Sequence, residues 1–322
     1  MRVELKRKKK AKQKKLKRIV LSTLLILFIG IGIYIFNFYH SFSSALDTIH
    51  QPLNAGSEKR ENKVSIQKQD PFSVLFLGVD ESENDNGRSD TMIVMTVNPQ
   101  KESIEMLSIP RDTRTEIVGN GTTEKINHAY ARGGVEMSIN TVENFLDVPI
   151  DYYVKVNMDG FKGIIDALDG VTLHNDMDLS YREYEFPKGE IQLNGDEALI
   201  FSRIRYEDPR GDFGRQIRQR QIIQSIINKG KSVTSLLNHD DIFDALGENV
   251  KTNLTFKEMV DIQQQYKVTN LTIEQIQFEK GTGKYIGDLW YYIPDENELR
   301  DVQLLLKENL GLNVENEVGV LN

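Results

Sequence analysis

The sequence has no cysteine, which excludes disulfides, thiolate nucleophiles and zinc–thiolate sites. Its five histidines, at 40, 50, 128, 174 and 239, show no metal-ligand spacing. No serine stands in a G-x-S-x-G elbow. Gly281-Thr282-Gly283-Lys284 falls short of a phosphate loop, with Phe278 where the first glycine belongs and Tyr285 in place of Ser/Thr. The most informative absence is local. Ser202–Arg220 holds six arginines and three carboxylates but no lysine, in a chain of net charge -8. Arginine grips phosphate oxygens with a rigid bidentate fork, whereas lysine is a point charge. Nucleic-acid tracts mix the two and sit in basic domains. The run therefore points to compact phosphate groups, against the alternative of a salt-bridged surface shared with Glu207 and Asp208.

Long apolar runs are also scarce, and the prominent one is Ile19–Phe36. It follows eighteen residues with eleven Lys/Arg and a single acid, Glu4. At ~1.5 Å per residue it nearly crosses a ~30 Å hydrocarbon core, and Asn37–Tyr39 completes the span. It exceeds the ~7–15 apolar residues of a cleaved signal peptide, so it reads as a retained anchor. The positive-inside rule puts the N-terminus in the cytoplasm and the rest outside, as a single-pass cell-membrane protein in contact with the bilayer. Beside a span, the basic tail is a topology signal rather than a nucleic-acid arm. The expected organisation is a cytoplasmic tail (1–18), a transmembrane anchor (19–39), an extracellular linker (40–69), one domain (70–312) and a C-terminal tail (313–322). Beyond the tail, 29 Lys/Arg face 47 Asp/Glu, a net of about -18. Such a domain repels polyanions, which argues against nucleic acid and requires a focused local field to hold phosphate.

Residues 72–79, 91–97 and 103–109 read as strands, the last two joined as a hairpin by Asn98-Pro99-Gln100. Residues 152–156 read as a further strand between helices at 134–146 and 158–168. Helices are also expected at 196–203, 213–229 and 295–309, and a Thr255/Glu258 capping box predicts one reaching Tyr266. Interleaved helices and strands imply an α/β fold with a mixed sheet covered on both faces.

Asp80 ends the first strand and Asp90 opens the second, so neighbouring strands would place both carboxylates at one sheet edge. Two carboxylates with phosphates and waters suit Mg²⁺; the alternative is a loop cap paired with Arg88. Arg111, just past Pro110, reads alone as a strand terminus with a surface ion pair, unless strand order brings it beside Asp80 and Asp90. Arg203 and Arg205 lie at a helix end. Arg215 and Gln219 share a face of the next helix, with Arg218 nearby and Ile222 and Ile226 continuing inward. That helix's N-terminus favours an anion, and Asp212 is expected as its N-cap.

Together, GVD (78–80), RSDTM (88–92), SIPRDT (108–113), KINHAYARGG (125–134) and SRIRYEDPRGDFGRQIRQRQ (202–221) resemble the LytR–CpsA–Psr family, in the branch found in Gram-positive bacilli. The resemblance extends through most of 70–310. It implies a three-layer α/β/α sandwich with a hydrophobic pocket for a prenyl chain. The implied activity is phosphotransfer of an anionic glycopolymer, typically wall teichoic acid, from undecaprenyl pyrophosphate to the C6 hydroxyl of peptidoglycan N-acetylmuramic acid. Under that resemblance Asp80 and Asp90 hold Mg²⁺, with Mn²⁺ possible. Arg88, Arg111, Arg203, Arg205 and Arg215 are then catalytic on the pyrophosphate, and Arg218, Gln219 and Asp212 assist in binding. Lipid-pyrophosphate hydrolysis and non-enzymatic prenyl-phosphate binding remain alternatives.

Overall fold

The computed structural model describes residues 48–60, 62–81, 87–229, 247, 249–266 and 271–313. The predicted basic tail, the membrane span, the linker up to 47 and the C-terminal tail beyond 313 lie outside the described residues. No helix among the described residues is long and apolar enough to cross a membrane.

The first three strands form an antiparallel meander: β1 (Phe72–Val79), β2 (Ser89–Asn98) and β3 (Ser103–Ser108). The predicted turn between β2 and β3 is fixed by the Asn98 side chain, which accepts from the backbone N–H groups of Gln100 and Lys101 at 3.0 and 2.9 Å. A small hairpin follows, β4 (Arg114–Ile117) with β5 (Thr122–Lys125), then α1 (His128–Leu146), which breaks from helical geometry at Gly133 and Gly134. β6 (Tyr152–Val156) joins β1 in parallel and leads into α2 (Met158–Ala167), whose cap Asn157 accepts from the Gly160 N–H at 2.9 Å.

The next stretch contains β7 (Val171–Asn175), β8 (Leu179–Tyr181), β9 (Tyr184–Phe186) and β10 (Gly189–Leu193), with β7 paired to β10 and β8 to β9. A capping box of Asn194 and Glu197 starts α3 (Gly195–Phe201), and α4 (Asp212–Lys229) follows. The chain ends with β11 (Val250–Thr252), α5 (Phe256–Tyr266), β12 (Thr272–Ile276), the hairpin β13 (Thr282–Ile286) and β14 (Leu289–Ile293), and α6 (Glu296–Asn309). α5 begins with the predicted capping box: the Thr255 N–H donates to Glu258 at 2.8 Å, and the Glu258 N–H to Thr255 Oγ1 at 3.2 Å.

The six-stranded sheet has the order β11-β6-β1-β2-β3-β12, with parallel pairs at β1–β6 and β3–β12 and antiparallel pairs elsewhere. Period-two alternation sorts its side chains. Leu75, Leu77, Met92, Val94 and Leu107 pack under α1 and α6 on one face. Val74, Ile93, Met95, Val97 and Met106 face α4 and α5 on the other. The expected mixed sheet between helical layers is therefore present. A satellite core joins α2, α3 and α4 to β7–β10.

Two expectations need correction. Helix α3 ends at Phe201 rather than 203, because Arg218 donates to the carbonyls of Phe201 (3.0 Å) and Ile204 and takes them from any continuing helix. The described part of the expected linker is also not free: Ile49 and Ile66 are buried, and Arg60 pairs with Asp151 at 2.7 Å.

Candidate active site

A cavity of about 350 Å³ opens beside the carboxyl ends of β1 and β6. Phe76, Val154 and Val156 of the sheet, Phe161 and Ile164 of α2, Leu199 of α3, and Ile223, Ile226 and Ile227 of α4 form its walls. Polar groups cluster at one end: Asp80, Asp90, Ser202, Arg203, Arg215 and Gln219. An apolar bore with a few convergent polar groups at its mouth suits a ligand with a hydrocarbon body and an anionic head. Of the two isoleucines expected to continue the Arg215/Gln219 face, Ile226 lines the bore. Ile222 is instead buried in the satellite core, and Ile223 takes its place.

Asp80 and Asp90 reach this mouth through a local irregularity. Gly78 pairs with Thr91 and Val79 with Ser89, so Asp90 is an extra residue in β2. Such a bulge re-aims a side chain at a sheet edge. The loop between the strands closes where the Asp80 N–H donates to the Arg88 carbonyl at 3.2 Å. Gly87 makes that closure possible: its φ is +66°, and a Cβ there would stand 2.0 Å from the Asp80 carbonyl oxygen. The next residue, Glu81, accepts from the Tyr130 hydroxyl and from Lys155 at 2.8 Å, pinning the exit of β1.

The arginines arrive from three directions. Arg111 sits in a turn in which the Thr113 N–H and hydroxyl both donate to the Pro110 carbonyl, at 2.9 and 2.6 Å. Strand order does bring it to Asp90, with an ion pair of 2.8 Å. Arg215 donates to the Asp90 carbonyl at 3.0 Å and pairs with Asp212 at 2.8 Å, tying the start of α4 to the bulge. Arg205 stands 3.9 Å from Asp212, and Arg203 reaches Met158. Burial would lower the Arg111 pKa, but Asp90, Asp212 and Asp112 outweigh it and raise it. Burial would likewise raise the Asp212 carboxyl. Arg215, the Gln216 amide, Arg111 and Arg205 together hold it below the usual range. The guanidinium groups of Arg111 and Arg215 are therefore held in place by carboxylates before any ligand arrives, which is the meaning of preorganisation here.

Several residues stand elsewhere than expected. Arg218 does not line the cavity: it is 2% exposed and bonded to Asp208 and two backbone carbonyls. Arg88 is exposed at the foot of β2 and is absent from the cavity wall. Asp90 pairs with Arg111 rather than with Arg88. Asp212 is the first residue of α4, and its carboxylate serves the side chains of Arg215 and Gln216 rather than acting as a simple N-cap. Gln219 lines the mouth as expected. Sequence reasoning missed Glu81, Tyr130 and Lys155. Tyr130 stands inside the KINHAYARGG motif, which was the available signal; Lys155 in a short strand offered none.

No group of three or more His, Cys, Asp or Glu able to hold a metal occurs among the described residues. Asp80 and Asp90 on one mouth nevertheless fit a hard divalent cation that keeps its other positions for water and phosphate oxygen.

Comparison with known proteins agrees with this architecture. The LytR_cpsA_psr family model matches residues 36–308. The chain is 50% identical over 310 residues to the polyisoprenyl-teichoic acid–peptidoglycan teichoic acid transferase TagU of Bacillus subtilis (strain 168), covering 96% of this chain and 99% of that protein. The crystal structure of B. subtilis TagU superimposes with a TM-score of 0.61 at 53% identity, covering 75% of this chain and 97% of that one. A structure of TagT bound to LIIa-WTA gives a TM-score of 0.70 at 32% identity, covering 82% and 100%. By its motifs, its sheet and its near-complete match to these proteins, the chain belongs to the LytR_cpsA_psr family.

Proposed function

We propose that this protein is a phosphotransferase that moves teichoic-acid-type glycopolymer from a polyprenyl pyrophosphate carrier to peptidoglycan, with the C6 hydroxyl of N-acetylmuramic acid as acceptor. The observation that carries the reading is the continuity of an apolar bore with a mouth of arginines and carboxylates. A hydrocarbon chain would lie along Phe161, Ile164, Ile223 and Ile226, each buried carbon contributing up to about 0.8 kcal/mol. Its pyrophosphate would then meet Arg203, Arg205, Arg215, Gln219 and Arg111. The bound LIIa-WTA of the TagT structure and the activity named for TagU support this assignment.

Asp80 and Asp90 would hold Mg²⁺, or Mn²⁺ in its place. Such an ion neutralises charge on the pyrophosphate oxygens when bound. The remaining work falls to the chain's own groups. The acceptor oxygen attacks the phosphorus that carries the polymer, the bridging P–O bond breaks, and prenyl phosphate leaves. The arginines stabilise the charge growing on that leaving group. Asp80, exposed and with no ion pair among the described residues, would take the hydroxyl proton through the carboxylate oxygen that the ion leaves free. A membrane span at 19–39 would hold the domain at the outer face of the bilayer, next to carrier and wall.

The test is to give the purified full chain a lipid-pyrophosphate-linked donor, Mg²⁺ and peptidoglycan oligomers. Polymer covalently joined to glycan is the expected outcome. Free polymer released by water would instead identify a hydrolase, and unchanged but bound donor a binding protein.

A further inference from the structure

The aromatic ring that stands furthest into solvent has no part in the transfer chemistry above. Tyr206 is 89% exposed, more than any other large apolar side chain among the described residues. It lies on the chain between α3 and α4, directly after Arg205, and outside the cavity. The Arg205 guanidinium lies over the ring, 5.5 Å from its centre. A guanidinium over an aromatic ring can still offer N–H groups to an oxyanion.

The backbone beneath the ring is held by unusual means. The Asp208 side chain is fully buried and bonds Arg218, itself 2% exposed, and Arg210 at 2.9 Å. Arg210 also pairs with Asp176, and the Gly211 N–H donates to the Asp208 carbonyl at 2.8 Å. Gly214 leaves the room this carboxylate needs, since a Cβ there would lie 2.0 Å from it. Burying an ion pair is costly, and one use of it is to fix a single conformation. Here the conformation fixed is the one that presents Arg203, Arg205 and Tyr206 in succession: the first on the cavity mouth, the second beside Asp212, the third in open solvent. A large exposed aromatic on so rigid a base leaves an apolar ring face open to a ligand.

We propose that Tyr206 and Arg205 form the subsite for the pyranose carried directly on the donor's pyrophosphate. The inference rests on the pyrophosphate reading above. With the hydrocarbon in the bore and the phosphates on the arginines, the first sugar must lie outside the cavity, next to the outermost arginine. The ring face left open by Arg205 receives the C–H groups of a sugar, while the guanidinium on the other side holds the phosphate that carries it.

The experiment compares equilibrium binding of two probes to the full chain: a prenyl pyrophosphate, and the same lipid pyrophosphate bearing one N-acetylhexosamine. In the unmodified protein the sugar is expected to tighten binding about five- to tenfold, the scale of one aromatic contact. Tyr206→Ala should remove that gain while binding the sugarless probe equally well, and Tyr206→Trp should keep it. An equal gain in Tyr206→Ala, or no gain in the unmodified protein, overturns the subsite. So does a variant that binds both probes normally but shows a raised KM for the glycan acceptor. Failure of the unmodified protein to bind either probe is a different result, which overturns the pyrophosphate reading itself.

Discussion

Between Ser202 and Arg220 the arginines divide by burial: Arg203 lines the mouth and Arg205 stands beside Asp212, while Arg218 and Arg220 are each 2% exposed. Arg220 donates to Ser108 at 2.7 Å, Gln277 at 3.1 Å and Gln275 at 3.2 Å, and has no carboxylate partner among the described residues. Burial alone lowers its pKa to about 10. Composition pointed to phosphate for the whole run but could not separate gripping from bracing, because burial depends on strands far away in sequence. Mutation separates the two kinds. Arg111→Ala should cut transfer by ~10³-fold or more with an unchanged melting temperature, since its partner Asp90 is 40% exposed and can be solvated. Steady-state kinetics with a thermal melt checks both halves. Arg218→Met should do the reverse of the second half and destabilise the fold by about 1–3 kcal/mol, because buried Asp208 loses one of its two arginine partners and keeps only Arg210. Chemical denaturation measures that loss, and adding Asp208→Asn should recover much of it.

At the scale of elements, the site depends on where β1 and β2 stop matching and on where α4 begins. The strands at 72–79 and 103–108 were legible as short apolar runs, almost continuously buried and bounded by turn residues, and the closing helix by its helical spacing. The small strands β7–β10 were not, since three to five residues carry too little periodic signal. The bulge at Asp90 was also invisible, because register belongs to a pair of strands and not to either one. Gly87→Ala tests that geometry: strain at positive φ and the clash with Asp80 should weaken Mg²⁺ binding at least several-fold, as read by calorimetry. On α4, Ile226→Trp should fill the bore. Affinity for long-chain prenyl pyrophosphates should then fall while that for the shortest chains is kept, and a chain-length series would show equal losses throughout if the bore does not hold the lipid.

For the molecule as a whole, the acidic balance of the chain was plain from composition, but a strongly perturbed sheet carboxylate among the described residues was not. Glu105 of β3 lies opposite Glu274 of β12 and is 8% exposed; burial first, then Glu274, and against Lys101, raise its pKa from 4.5 to about 7. The folded state therefore binds this proton more tightly than the unfolded state does. The Glu105 contribution should make stability fall as pH rises from about 4.5 to about 7 and level off above that range. Thermal melts at pH 5, 6, 7 and 8 should show that slope. Glu105→Gln should flatten it and raise the melting temperature at pH 8.

The bore has a kinetic consequence. If it holds the donor's hydrocarbon as proposed, which the reaction leaves unaltered, the spent prenyl phosphate would depart with the same chain that brought the donor in. Apolar walls that tighten substrate binding slow product escape to the same degree. The first turnover should then outrun the later ones, giving a burst equal in size to the enzyme present, with lipid exit setting the steady rate. The carrier's length would govern how fast the enzyme cycles as well as how tightly it binds.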